Sequence, residues 1–329
     1  MRKLAGYLVK ALALILAAIS INFILIQLMP GDPLMFILGD QEYYLLQTRH
    51  PDLLAEVSSR YGLESPLIVQ YFRFLWNTVT LQFGNSFITG QNVLDVVLFR
   101  MRWTLLLAFV SIVISAIVGG TLGVIAGYHK GGKLDAALTF VFLFLETIPA
   151  NCLALIALLV FGFNLGWFPI SGMASGGLSG IAAILDIMYH MTLPVIVLSM
   201  FRTSTNFLLV KSFVSQIRDE DYVTTAIAKG LPKRKLLGRH VLRSVLVPYA
   251  TILCLQFGFI FSGSMLIEVV FSWRGMGTLI LAGEMTRHYP TVQLCFLVTS
   301  VCVIIFHFVA DILAWKLDPR IKDGLLHEV

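Results

Sequence analysis

Apolar residues run in long blocks along this chain, each bounded by charged or turn-forming residues. The blocks are Ala11–Met29, Trp103–Tyr128, Ala136–Phe163, Ile187–Val210, Leu246–Phe271 and Thr291–Leu317. Each is near or above the roughly 20 residues that carry an α-helix across about 30 Å of hydrocarbon. The pattern predicts an all-α integral membrane protein with about six transmembrane helices. Arg2, Lys3 and Lys10 precede the first block, as in a secretory signal. The run is too long for a signal core and no small-residue cleavage site follows, so it is expected to stay as a helix.

The polar stretches divide the chain. Residues 1–29 form the first expected span and 30–102 an extracytoplasmic insertion. Residues 103–320 form a five-helix core with a polar loop at 211–245, and 321–329 a tail. Positive charge sets the expected orientation, because Lys and Arg in short loops stay on the cytoplasmic side. Arg2, Lys3 and Lys10 precede span one, and Lys130 and Lys133 follow span two. Lys211, Arg218, Lys229, Lys233, Arg234, Lys235, Arg239 and Arg243 follow span four, and Lys316, Arg320 and Lys322 close span six. All fall on one side, so both termini are expected inside. The insertion is acidic before Arg100, through Asp32, Asp40, Glu42, Asp52, Glu56, Glu64 and Asp95.

Composition agrees. Of 329 residues, 57% are hydrophobic and 13% charged, about half the charge of soluble domains. A formal charge of +5, gathered mainly in one loop, gives a nucleic-acid role no support. Cys152, Cys254, Cys295 and Cys302 all lie in expected spans, so they read as small apolar residues and not as disulfides or a metal cluster. The insertion is too long for a simple connection. Gly31-Asp32-Pro33, Arg60-Tyr61-Gly62-Leu63, Pro66-Leu67 and Phe83-Gly84-x-Ser86 break it into short helices. Tyr71, Phe72, Phe74 and Trp76 suit an interfacial helix, either a partner surface or a cap.

Gly119, Gly123 and Gly127 repeat G-x-x-x-G and let a second helix approach closely. Gly127-x-x-x-x-Gly132-Lys133 mimics a phosphate-binding loop. Leu134 replaces the hydroxyl that would touch magnesium, and a membrane helix replaces the preceding strand, so the likeness is rejected.

Between spans four and five lies the most polar part of the core, RDEDYVTTAIAKGLPKRKLLGRHVLRSVLVP from Arg218 to Pro248. Asp219 to Asp221 suit a helix N-terminus, Tyr222 and Ala226 give a compact face, and Gly230 followed by Pro232 ends the helix. Lys233 to Arg243 reads as a second helix. Such an element is stiff enough to transmit a push; the alternative is a basic loop resting on anionic lipid.

In this loop Asp221-Tyr222-Val223, Ala226, Ala228-Lys229-Gly230-Leu231 and Arg239-His240-x-Leu242-Arg243 resemble the segment by which permease subunits of ATP-binding-cassette importers grip their ATPases. The resemblance extends along the chain. Pro30-Gly31-Asp32-Pro33, Tyr61-Gly62-Leu63, Phe83-Gly84-x-Ser86, Leu165-Gly166-Trp167-Phe168-Pro169, Glu268-x-x-Phe271-Ser272-Trp273, Gly275-x-Gly277, Tyr289-Pro290 and Asp318-Pro319-Arg320 occur in the order of the B-type permeases of the peptide/nickel class. That class takes up dipeptides, oligopeptides, nickel or metal–opine chelates. It implies a homologous second permease, two cytoplasmic ATPases that bind ATP and Mg, and an extracytoplasmic substrate-binding protein. No cofactor is implied for this chain. Asp221, Tyr222, Thr225, Ala226, Ala228, Lys229, Gly230, Leu231 and Arg239 are the implied ATPase-coupling residues.

Departures from the class are Thr224-Thr225 in place of an acidic start to the docking motif, Arg274 in place of Pro, and Glu146 in place of an apolar residue. Ionisable residues inside spans face a bundle interior or water. Glu146 is therefore a path candidate for a cationic peptide terminus or a metal, or else a structural partner of Arg202. Thr147, Pro149 and Asn206 join it as expected lining, with Gly263 and Glu268 near an outer gate. His307 and Asp311 lie one turn apart and make no complete metal site. An ion-coupled transporter or channel using Glu146 and Asp311 is the alternative of another class; it would gain from inverted repeats, and none is visible. No nucleophile or cofactor motif suggests an enzyme.

Overall fold

The computed structural model describes residues 2–28, 32–61, 64–85, 90–232, 235–286 and 288–317. Parts of the quoted motifs, including Pro30, Gly31, Gly62, Leu63, Ser86 and Asp318 to Arg320, lie outside the described residues. The described chain is helical, apart from one isolated bridge between Asn85 and Asn92. The chain divides into two compact units, residues 1–104 with 274–305, and residues 105–273 with 306–329.

The first unit holds α1 (Arg2–Gln27), α2 (Pro33–Leu38), α3 (Asp40–Arg49), α4 (Pro51–Tyr61) and α5 (Leu67–Val79). α1 exposes Leu8, Leu12, Leu16 and Leu25, as lipid contact or a partner requires. Ser20 Oγ lies 2.8 Å from Tyr71 Oη, and Phe23 meets Tyr71 edge-on at 5.5 Å, so the expected aromatic helix packs on the first span. Asp32 caps α2, accepting from the Leu34 amide at 2.9 Å, and Tyr43 Oη donates to its second oxygen at 2.8 Å. That bond and burial push the Tyr43 phenol up from its ordinary value. Here too, Asn22 donates to the Gln293 carbonyl at 3.1 Å and the Met276 amide to Thr104 Oγ1 at 2.8 Å.

The second unit carries α7 (Lys133–Thr147), α8 (Ala150–Ala157) with a π-helical end (Leu158–Asn164), α9 (Gly180–Arg218), α10 (Asp221–Ala228), a π turn (Leu236–Val241), α11 (Leu242–Gly258) and α12 (Ile260–Val270). α6 (Val93–Tyr128), α13 (Met276–Met285) and α14 (Tyr289–Leu317) complete the described helices.

Among the described residues, four helices are long and apolar enough to cross a membrane, and up to six crossings result if each of two bent pairs counts as one. The expected spans 136–163 and 246–271 are those bent pairs. α7 meets α8 and its π-helical continuation at 95°, and α11 meets α12 at 53°. α9 has 39 residues, or about 58 Å at 1.5 Å per residue. It exceeds the hydrocarbon thickness, so its ends extend beyond the layer. α6 likewise starts at Val93, earlier than the expected Trp103.

The glycine stripe of α6 packs along α9 within this unit. A Cβ on Gly119 would stand 2.8 Å from Asn206 Cβ and the Thr203 carbonyl oxygen, one on Gly123 2.8 Å from the Phe207 oxygen, and one on Gly127 2.7 Å from Val214 Cβ. Only hydrogen fits at these points, and the backbones approach accordingly. Gly127 is thus a packing residue inside a helix, consistent with rejecting the phosphate-loop likeness.

Candidate functional site: the coupling element and the breaks in the spans

α10 begins at Asp221 and turns its apolar side inward. Val223, Ala226 and Leu236 are buried together, with Ile217 and Leu231 packed around them. This small core gives the knob its own shape. Tyr222, Thr224, Thr225, Ala228 and Lys229 remain exposed. Tyr222 Oη lies 3.3 Å from Ser244 Oγ on α11, and Thr225 Oγ1 donates to the Asp221 carbonyl at 2.8 Å.

The helix ends as its sequence requires. Gly230 has φ +73°, a left-handed conformation that glycine adopts without penalty, and the Leu231 amide reaches back to the Ala226 carbonyl at 3.3 Å. Leu231 then packs beside Ala226 in the same core. The expected separate second helix differs. From Leu236 the chain follows a π turn and runs into α11 without a cap, since Val241 is itself helical. Arg239 lies in that turn and its side chain lies outside the described residues.

Polar contacts bind this element to its neighbours. Asp219 does not cap α10; it closes α9 and pairs with Lys130 at 2.9 Å. The hydrogen bond and charge of Lys130 hold the Asp219 carboxyl below its ordinary value. Arg218 Nη1 donates to the Tyr128 carbonyl at 2.8 Å, with its guanidinium 5.9 Å from the Tyr128 ring. Lys211 Nζ lies 2.5 Å from Asp135 Oδ1 and 2.6 Å from Thr139 Oγ1. Asp135 also accepts from the Gly131 amide at 3.0 Å. The end of α9, the α6–α7 turn and the first turn of α7 are therefore tied together beside α10. A cavity of about 520 Å³ opens among Tyr128, Lys130, Arg218, Val223 and Leu236. The sequence pattern marks Lys130 and Lys211 only as topology charges; Asp135, one turn before Thr139, is the signal for this cluster.

The candidate path residues lie at and around the breaks. Thr147 ends α7, with its hydroxyl on the Phe144 carbonyl at 2.7 Å, and Pro149 opens α8. Glu146 is exposed beside this break and accepts from Thr205 Oγ1 of α9 at 3.4 Å. The structural alternative of a pair with Arg202 is not formed.

Asn206 is fully buried in the seam between α6, α9 and α11. It donates to Ser115 Oγ at 3.1 Å and accepts from Gln256 Nε2 at 2.7 Å. In this conformation it holds helices together and lines no open surface. Glu268 is also fully buried, with Ser264 Oγ donating to it at 3.3 Å. After it, the Trp273 amide bonds to the Glu268 carbonyl at 2.8 Å and Ser272 takes φ +52°, so the Phe271-Ser272-Trp273 motif forms a tight helix stop. Gly263 lies in α12 with Arg202 Nη2 3.0 Å from where its Cβ would be.

Residues 119–323 match the family described as binding-protein-dependent transport system inner membrane component. The oligopeptide transport system permease protein AppB of Bacillus subtilis is 29% identical, covering 97% of this chain and all of its own. The di/tripeptide transport system permease protein DppB of Pseudomonas aeruginosa is 32% identical, covering 92% of this chain and 93% of its own.

Proposed function

Because the chain belongs to the family of binding-protein-dependent transport system inner membrane components, we propose that it forms half of the path of an ATP-driven peptide importer and is driven through α10. A member of this family is a multi-pass membrane transport subunit and not an enzyme; it works with a substrate-binding protein and separate ATPase subunits. The ion-coupled alternative thereby loses its ground.

The finer assignment is a heteromeric complex of this chain, a homologous second permease, two cytoplasmic ATPases that bind ATP and Mg, and an extracytoplasmic binding protein that delivers peptide. Peptide is favoured over a nickel or metal chelate because relatives matching almost the full chain are named for peptide transport. Both termini and α10 lie on the cytoplasmic side in this reading, supported by the excess of Lys and Arg there.

The observation that carries the coupling role is the construction of α10: a short helix with its own buried core, an exposed face at Tyr222, Thr225 and Ala228, and a rigid connection to span ends. Closing ATPases press on that face. Through Lys130–Asp219, Arg218–Tyr128 and Lys211–Asp135, the push moves the ends of α6, α7 and α9 together. The bends at 147–149 and 259 then lie where spans can swing and alternate access.

The test is co-expression of the chain with its three kinds of partner and reconstitution in liposomes. ATP-dependent uptake of labelled di- and tripeptides that requires the binding protein is the expected result. Uptake by the isolated chain driven by an ion gradient would contradict it.

A further inference from the structure

We propose that Arg202 is the anion-recognising residue of the path and meets the terminal carboxylate of the passing peptide. The inference rests on the peptide-importer reading above and deepens it.

Arg202 lies well inside α9, with two turns of helix and more on either side before any other Lys or Arg. Its side chain is partly buried, and among the described residues it has no hydrogen-bond or ion-pair partner. Three other charges near the ends of this unit's spans are matched: Lys211 by Asp135, Lys130 by Asp219, and Arg218 by the Tyr128 carbonyl. A guanidinium withdrawn from water without an acceptor is unfavourable, and membrane proteins keep one where it faces a cavity or meets a ligand.

The surroundings of Arg202 make it a built position. Its Nη2 stands over Gly263, close enough that a Cβ there would come within 3.0 Å. Gly263 begins the straight part of α12 just beyond the 53° bend. One turn further along α9, Thr205 meets Glu146 at the 95° break of the other bent span. The same short stretch of α9 thus faces the broken regions of two spans, and discontinuous helices are a recurring setting for substrate sites in transporters. It presents a guanidinium and, one turn away, an exposed carboxylate that is not paired with it.

A free peptide carries a carboxylate at one end and an ammonium at the other. Arg offers a planar fork of donors matched to a carboxylate, which a neutral or singly donating side chain does not reproduce. Glu146 was already a candidate for the ammonium; Arg202 supplies the complementary half. Selection at this point is for the free terminus and leaves side chains unread, as a path for varied peptides needs.

The experiment uses the complete complex in liposomes with saturating binding protein. It compares trialanine with trialanine amide in wild type, Arg202→Lys and Arg202→Gln. Loss of one charge-assisted contact corresponds to about tenfold. Arg202→Gln is expected to lower trialanine uptake per ATP hydrolysed about tenfold while leaving amide uptake unchanged. Arg202→Lys, which keeps the charge but not the planar fork, is expected to recover only part of the loss, and both variants still co-purify with the second permease. Equal losses on both peptides, unchanged trialanine uptake in Arg202→Gln, or failure of both variants to assemble would overturn the assignment. In the last case the guanidinium pairs with the neighbouring subunit. Absence of trialanine uptake in wild type would instead contradict the importer reading itself.

Discussion

Lys211 Nζ and Asp135 Oδ1 stand 2.5 Å apart, joining the C-terminal part of α9 to the first turn of α7. Both side chains are largely buried, so removing one leaves the other poorly solvated. Lys211→Met or Asp135→Asn is expected to destabilise the chain by about 2 kcal/mol, between the values for surface and buried pairs. The double variant should recover part of the loss. A thermal-unfolding double-mutant cycle in detergent checks this, and additive losses would show that the pair is not coupled.

The α6 stripe gives a steric prediction. Gly123→Ala places a methyl group 2.8 Å from the Phe207 carbonyl oxygen and 2.9 Å from Val210 Cβ. Overpacking of this kind costs about 1–3 kcal/mol. Gly6→Ala, where nothing lies within 4 Å, is the matched control and should leave the melting temperature unchanged.

The Lys130–Asp219 bridge has a defined pH sign. The Asp219 carboxyl is held low in the folded chain. Its stabilising contribution is therefore present above the ordinary carboxylate value of about 3.9 and fades as pH falls through its lowered value. The pair is exposed, so the effect is small and screened by salt. Amide exchange in the 128–132 turn should rise faster on acidification in wild type than in Lys130→Met. Parallel curves would remove the bridge from the account.

These sites differ in how far the sequence disclosed them. The apolar spans were legible because lipid demands long apolar blocks, and α10 because Gly230 and Pro232 punctuate it. The bends were not. Pro149 marked one, but the break from Gly258 to Ile260 has no proline, and its angle depends on packing against α9. The burial of Asn206 in a helix seam was not legible for a related reason. α9 is apolar around most of its surface, so periodicity could not distinguish a polar side chain in a helix seam from one on a path. The guanidinium over Gly263 required knowing which helices meet.

If α10 transmits ATPase movement to the spans, a change at Gly230, which ends that helix, should break the transmission. The φ of +73° at Gly230 suits glycine, while the space around it is open. Gly230→Arg therefore strains the helix end by about 1–2 kcal/mol and puts a bulky charge on the docking surface without disturbing a core contact. The measurement is ATP hydrolysis and peptide uptake by the assembled complex in lipid nanodiscs and liposomes, with loaded binding protein. Gly230→Arg is expected to leave the two permeases assembled but to abolish the stimulation of hydrolysis by loaded binding protein, and uptake with it. Full stimulation and uptake in that variant would contradict coupling through this element.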